Sequence, residues 1–192
     1  MPPKAKFTKE EIISAAFDIV KRDGMDVLTA RSLAEELGSS PRPIFTVFDT
    51  MEEVQTEVLA AARSLYSQYQ ERGLDEKNPF KGSGMGYLKF ATEQPKLFQL
   101  MFMKETESVP TIDAVLSDIE GHYGEIVKAV IDTYGFTRET AEAVYLHAWI
   151  YTHGIASLIA TNFCKFTEEE TSRMLDEVVG SVIKTFRTEG RI

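Results

Sequence analysis

The sequence predicts an all-α protein of about nine helices, with a small N-terminal domain followed by a larger C-terminal helical bundle. Three observations carry that expectation. Thr-x-x-Glu capping boxes recur at Thr8–Glu11, Thr50–Glu53 and Thr167–Glu170, each able to satisfy two otherwise unpaired amide donors at a helix start. Apolar residues return at three- and four-residue intervals behind those boxes. Alternating apolar and polar runs joined by hairpin turns do not occur in the sequence.

Taken in order, the Thr8 box opens a helix whose apolar side Ile12, Ala16, Ile19 and Val20 share, and Gly24 is its natural stop. Thr29 caps a short second helix carrying Leu33, Ala34 and Leu37, which ends at Gly38. A third starts after Ser40. The Thr50 box opens a long helix to about Arg72. Pro79, Pro95 and Pro110 each stand near the start of an apolar helical pattern, where a missing N–H costs little. The pattern after Pro110 predicts one long helix up to Gly135, Thr137 caps the next to about Thr161, and the Thr167 box opens the last to about Arg187. The composition shifts near residue 50, from short helices and tight turns to longer helices rich in Met, Phe and Tyr. The expected division is therefore 1–50 and 51–192. Fifty residues make a thin core, so the helix from Met51 is expected to close the small domain.

The chain has 192 residues, 43% hydrophobic and 27% charged, which suits a globular protein and not a disordered one. No stretch has the roughly 18 apolar residues of a membrane span. The N-terminal MPPKAKFTKEE lacks the apolar core of a secretory signal, and the one cysteine, Cys164, fits a reducing compartment, so a cytoplasmic protein is expected. The net charge of −9 argues against nucleic acid only until its distribution is read. Residues 1–50 carry seven basic and eight acidic side chains, while the remainder carries 14 and 22. The acidity belongs mostly to the C-terminal region, and Lys4, Lys6 and Lys9 open the chain without an acid among them.

The second predicted helix, the Gly38-Ser39-Ser40 turn and the segment after it have the length of a helix-turn-helix. Such a unit presents the start of its second helix to the major groove. Ser40 suits the N-cap and Pro41 the first helical position, while Pro43 would fall third, where its N–H is not needed. Pro43 also disfavours an α conformation at Arg42, so an irregular start is expected. Leu33, Leu37, Ile44 and Phe48 would form the core between the two helices.

The stretch IISAAFDIVKRDGMDVLTARSLAEELGSSPRPIFTVFDTMEEV resembles the DNA-binding region of TetR-family transcriptional regulators. The match rests on the spacing of the first helix, Gly24, Leu28-Thr29, Arg31, Leu33-Ala34-Glu35-Glu36-Leu37-Gly38, Ser40 and Phe48. WIYTHG, Trp149 to Gly154, is similar to the Trp-x-x-x-His-Gly signature of one C-terminal subgroup. The resemblance implies a homodimeric repressor that binds a palindromic double-stranded operator and leaves it when a small, largely apolar effector binds. It implies phosphate-side roles for Thr29, Ser40 and Arg31, base-edge positions for Arg42, Pro43 and Thr46, a place for Phe45 within the DNA-binding segment, and a basic arm with Lys4 and Lys6. Six of these have a plainer reading: Thr29 and Ser40 as helix caps, Arg42 as a solvated cation, Lys4 and Lys6 as a frayed tail, Phe45 as a packed ring. Many family members have Tyr at Phe45, His at Val47 and Lys at Met51, so this chain lacks two usual phosphate donors. Arg42 is the one strongly donating side chain left in the segment, able to bind guanine O6 and N7 together. A helical protein that has lost DNA binding is the competing reading.

For the effector, the candidate lining residues are Met85, Phe90, Phe98, Met101, Phe102, His122, Tyr123, Ile126 and Trp149, because Met and aromatic side chains build adaptable apolar pockets. The same spacing also suits plain core. The last two helices are apolar on one side and, by the resemblance, pair with their copies across a two-fold axis, with Ala148, Gly154, Ala156 and Ala160 allowing close approach. A face buried inside one monomer is the alternative. Enzymatic readings find little support: His122, His147 and His153 include no i,i+4 pair, Cys164 completes no metal spacing, and Gly82-Ser-Gly-Met-Gly86 follows no strand. That glycine run is expected to loosen a helix start. No cofactor is expected.

Overall fold

A computed structural model describes residues 6–103, 111–119 and 121–191, and Lys4 and Pro110 lie outside them. The described residues form nine α-helices and two 3-10 turns, with no strand: α1 Lys9–Asp23, α2 Ala30–Glu36, α3 Met51–Leu74, α4 Pro79–Glu93, α5 Pro95–Phe102, α6 Ile112–Ile119, α7 Tyr123–Tyr134, α8 Arg138–Ala160 and α9 Glu168–Thr188. The expected number of helices is met, though by a different membership. The segment after Ser40 is not an α-helix, and the long helix expected before Gly135 is two.

Several ends fall where local chemistry puts them. Thr8 and Glu11 form a complete capping box, as do Thr167 and Glu170. Thr29 caps α2 with Ser32 in the reciprocal role, Thr137 caps α8, and Gly135 ends α7 in the left-handed conformation. At Thr50 the box is half made. Thr50 Oγ1 accepts from Glu53 N, but the Glu53 carboxylate takes the amide of Asp49 instead of that of Thr50. Gly121 and His122 separate α6 from α7; glycine is a poor helix former, and the His122 ring is held by Ser67 and Glu125.

The chain divides into two compact units. The first is Met1–Leu65 with Gln94–Lys104. Its core joins Ile12, Ala16, Ile19 and Val20 of α1 to Leu33, Ile44 and Phe48, with Val54 and Val58 from α3. α5 packs on α1 and adds the fully buried Leu97 and Phe98. The small unit thus runs past residue 50 and takes in a later helix as well, because three short elements bury too little apolar surface to hold together alone.

The second unit is Tyr66–Glu93 with Glu105–Ile192. α4 and α8 lie side by side at its centre, with α7 and α9 packed on both. Phe80, Ile126, Val130, Val144, Tyr145 and Ile183 are among its core side chains. The end of α3 meets α4 through an aromatic cluster, in which the Phe90 ring sits edge-on to Tyr66 and Tyr69 at 5.3 and 5.4 Å. The Gly82-Ser-Gly-Met-Gly86 run lies in the interior of α4 and does not loosen its start. A Cβ on Gly82 would fall on the Gly73 carbonyl of α3, one on Gly73 would fall on the Gly82 carbonyl, and one on Gly86 would lie 2.5 Å from Tyr69 O. These glycines let the two helices touch backbone to backbone. Among the described residues no helix is long and apolar enough to cross a membrane.

Candidate functional site

In the first unit, the turn after α2 is built by Gly38, whose φ of +60° no side chain adopts easily. Ser39 N then reaches back to Ala34 O at 2.8 Å. From Pro41 the chain coils tightly instead of forming the expected α-helix: Ile44, Thr46 and Val47 each donate three residues back, to Pro41, Pro43 and Ile44. Two prolines without N–H donors, one of them restricting Arg42, leave only a 3-10 turn at Ile44–Thr46. Ser40 therefore caps no α-helix. Ile44 and Phe48 anchor the segment in the core, which turns Arg42, Phe45 and Thr46 outward.

The exposed groups differ in how committed they are. Arg42 has no hydrogen bond or ion pair among the described residues, whereas Arg31 Nε is 3.0 Å from Glu35 Oε1. Thr46 Oγ1 donates to Pro43 O at 2.6 Å, so its lone pairs are what it offers outward. Phe45 is 44% exposed, a ring presented to the exterior, while Pro43 is half-buried. Lys6 Nζ reaches Ser39 Oγ at 3.0 Å, which places Lys6 beside the turn. Thr29 is exposed, and its hydroxyl accepts the Ser32 amide as a cap.

In the second unit a cavity of about 260 Å³ opens between α4, α8 and α9. Phe80, Tyr87, Tyr145 and Trp149 form its aromatic walls, with Leu175 and Ile183 from α9. Its buried polar groups are ordered by the protein. Gln70, 1% exposed, donates Nε2–H to Tyr66 Oη at 2.8 Å and accepts the Ser83 hydroxyl at 2.7 Å, and Thr152 Oγ1 donates to Ala148 O at 2.7 Å. Lys81 Nζ and Asp176 Oδ2 pair at 2.6 Å across α4 and α9 at the rim, and the exposed Arg187 is also there. Gly84 widens the cavity, since a Cβ there would meet Leu175 at 3.4 Å.

Of the nine residues expected to line a pocket, Trp149 alone does so in this cavity. Met85 lies on a separate surface groove. Phe90 and Ile126 are core, and Phe98, Met101 and Phe102 belong to the first unit. His122 is tied to Ser67 at 2.8 Å and Glu125 at 2.9 Å, and Tyr123 packs edge-on to Tyr145 at 5.4 Å. Helical spacing of aromatic residues could not separate core from cavity wall. The other lining residues, among them Gln70, Ser83, Gly84, Tyr87, Thr152 and Arg187, had one visible signal in the sequence, the small-residue run at 82–86.

Trp149 and His153 share a helix face and stack at 4.9 Å, and Tyr87 Oη lies 2.9 Å from His153 Nδ1. Burial pushes the His153 imidazole below its usual range. A folded-state value lower than the unfolded one gives stability that is complete above the unfolded value and is lost as pH falls beneath it. Melting curves taken downward from about pH 6.5 should show a falling Tm, with a smaller fall for His153→Gln. Identical pH profiles would sink this assignment.

Residues 80–182 match the family model described as Tetracyclin repressor-like, C-terminal domain. Among solved structures, the chain is similar to a TetR-like transcriptional regulator from Rhodococcus sp. RHA1, with a TM-score of 0.64, 10% identity and coverage of 88% of this chain and 92% of that one. It is also similar to a TetR variant from Acinetobacter baumannii AYE in complex with minocycline, with a TM-score of 0.55, 18% identity and coverage of 97% and 99%. No curated protein matches the chain by sequence. At such identities the two structures speak for the fold, while the family model spans more than half of the residues. The chain belongs to the TetR-like family of transcriptional regulators.

Proposed function

We propose that the protein is a homodimeric repressor, cytoplasmic and not an enzyme, that holds a palindromic operator through its first unit and releases it when a small molecule enters the cavity of the second. The observation that carries this reading is the turn after Gly38. It is anchored by Ile44 and Phe48, and it turns outward an arginine with no partner among the described residues. Arg42 suits a guanine edge, Phe45 a thymine methyl, and Thr29, Ser40, Arg31 and Lys6 the flanking phosphates. Pro43 stiffens the loop between them.

The dimer follows from α8. Ala148, Ala156 and Ala160 are buried by their own chain, so they are not the interface as first expected. Ile150, Gly154 and Leu158 recur every four residues on the other side and are exposed, Ile150 by 54%, and Phe163 just beyond is exposed by 76%. A second copy would cover this apolar face. A competing reading, a helical ligand binder without DNA affinity, is favoured by Arg31 being paired and by Phe45 and Met51 lacking side-chain donors.

Fluorescence anisotropy with a palindrome from the region upstream of the gene separates the two. Binding is expected to weaken steeply with salt, because phosphate contacts release counterions. Ile150→Glu with Leu158→Glu is expected to give a monomer by light scattering and to lose most of the affinity. Absence of salt-sensitive binding would sink the repressor reading.

A further inference from the structure

We propose that the cavity of the second unit takes a hydroxylated aromatic acid, its hydroxyl held inside by Gln70 as donor and by Ser83 or Thr152 as acceptor, and its carboxylate at the mouth by Arg187. The assignment rests on the reading of this cavity as the effector site. Size comes first: about 260 Å³ is slightly under the ~300–1,000 Å³ usual for ligand sites, so one ring with a short side chain fits better than a fused polycycle.

The walls choose an aromatic body, because Phe80, Tyr87, Tyr145 and Trp149 offer ring faces and edges. The inner polar groups choose a hydroxyl. Ser83 gives its hydrogen to Gln70 Oε1 and Thr152 gives its own to Ala148 O, so each presents only oxygen lone pairs to a ligand. Gln70 gives one amide hydrogen to Tyr66 and keeps a second. A hydroxyl accepts from Gln70 and donates its one hydrogen to Ser83 or Thr152, whereas an ether has no hydrogen for either and a bare ring would also leave the Gln70 N–H without a partner, at a real cost in affinity.

The mouth chooses an anion. Lys81 is neutralised by Asp176. Arg187 donates to Tyr134 O at 3.3 Å and has no carboxylate within 4.0 Å among the described residues, so its remaining N–H groups are open to a carboxylate at the cavity edge.

The chain has a single tryptophan, Trp149, and it lines the cavity, so its emission reports occupancy directly. The full-length protein is titrated with 3-(4-hydroxyphenyl)propanoate, its methyl ester, 3-phenylpropanoate and naphthalene, by Trp149 emission and by calorimetry. The hydroxy acid is expected to bind about tenfold more tightly than the ester and than 3-phenylpropanoate. Arg187→Gln is expected to bring the acid to the level of the ester and leave the ester unchanged, with Arg187→Lys in between; circular dichroism confirms that both variants fold. Equal binding of acid and ester, or an unaffected Arg187→Gln, overturns the assignment and leaves the cavity as a site for neutral aromatics. If none of the four, naphthalene included, shifts Trp149 emission or releases heat, the effector-site reading falls and the assignment with it.

Discussion

Gly82→Ala should lower the melting midpoint by roughly 6–12 °C, a loss of about 3 kcal/mol. The sign is the informative part. In an ordinary helix interior, glycine to alanine stabilises by about 1 kcal/mol. At Gly82 the new methyl would overlap the Gly73 carbonyl of α3, and backbone cannot swing aside as a side chain can. Gly86→Ala is expected to act in the same direction against Tyr69 O. Gly124→Ala in α7 has nothing within 4 Å of its added Cβ and should be neutral or stabilising. Calorimetric melts of the three variants at one protein concentration decide the matter, since dimerisation would make Tm concentration-dependent. A Gly82→Ala variant as stable as the parent would refute the close α3–α4 contact. Ligand binding should fall too, because Ser83 and Gly84, between the two touching glycines, form part of the cavity wall.

Arg42→Ala is expected to weaken operator binding by a hundredfold or more. One bidentate arginine–guanine contact is worth about 1–3 kcal/mol, and a symmetric dimer places one at each half-site, so the loss counts twice. The loss should be largest on the operator and small on scrambled DNA, with the salt slope little changed. Arg31→Ala should act the opposite way, weakening all sequences alike and flattening the salt slope, because a phosphate contact carries no sequence information. Its effect should be modest, since Arg31 must first leave Glu35. Anisotropy titrations on both DNAs at several salt concentrations give all of these values. An equal loss on operator and scrambled DNA would move Arg42 from the bases to the backbone.

The capping chemistry was legible because it is local. Thr8 with Glu11, Thr29, Thr137, Thr167 with Glu170 and the left-handed Gly135 each satisfy helix ends within a few residues. The same local logic misjudged Pro41 and Pro43: each suits a helix start by itself, but together they yield a tight turn that still presents Arg42 outward. It also joined α6 to α7, because a periodic apolar pattern continues across Gly121 while the backbone does not.

The sequence by itself determined the helical class, most helix ends and the position of the exposed Arg42, since caps, turns and apolar periodicity act between residues a few places apart. Only the tertiary structure decided which aromatic rings became core and which became cavity wall. It also placed α5 with the first unit, set Gly73 against Gly82, and brought Gln70, Ser83, Thr152 and Arg187 around one space. Those choices depend on which helix surfaces meet, and contacts between residues so far apart in the chain leave no periodic trace in it.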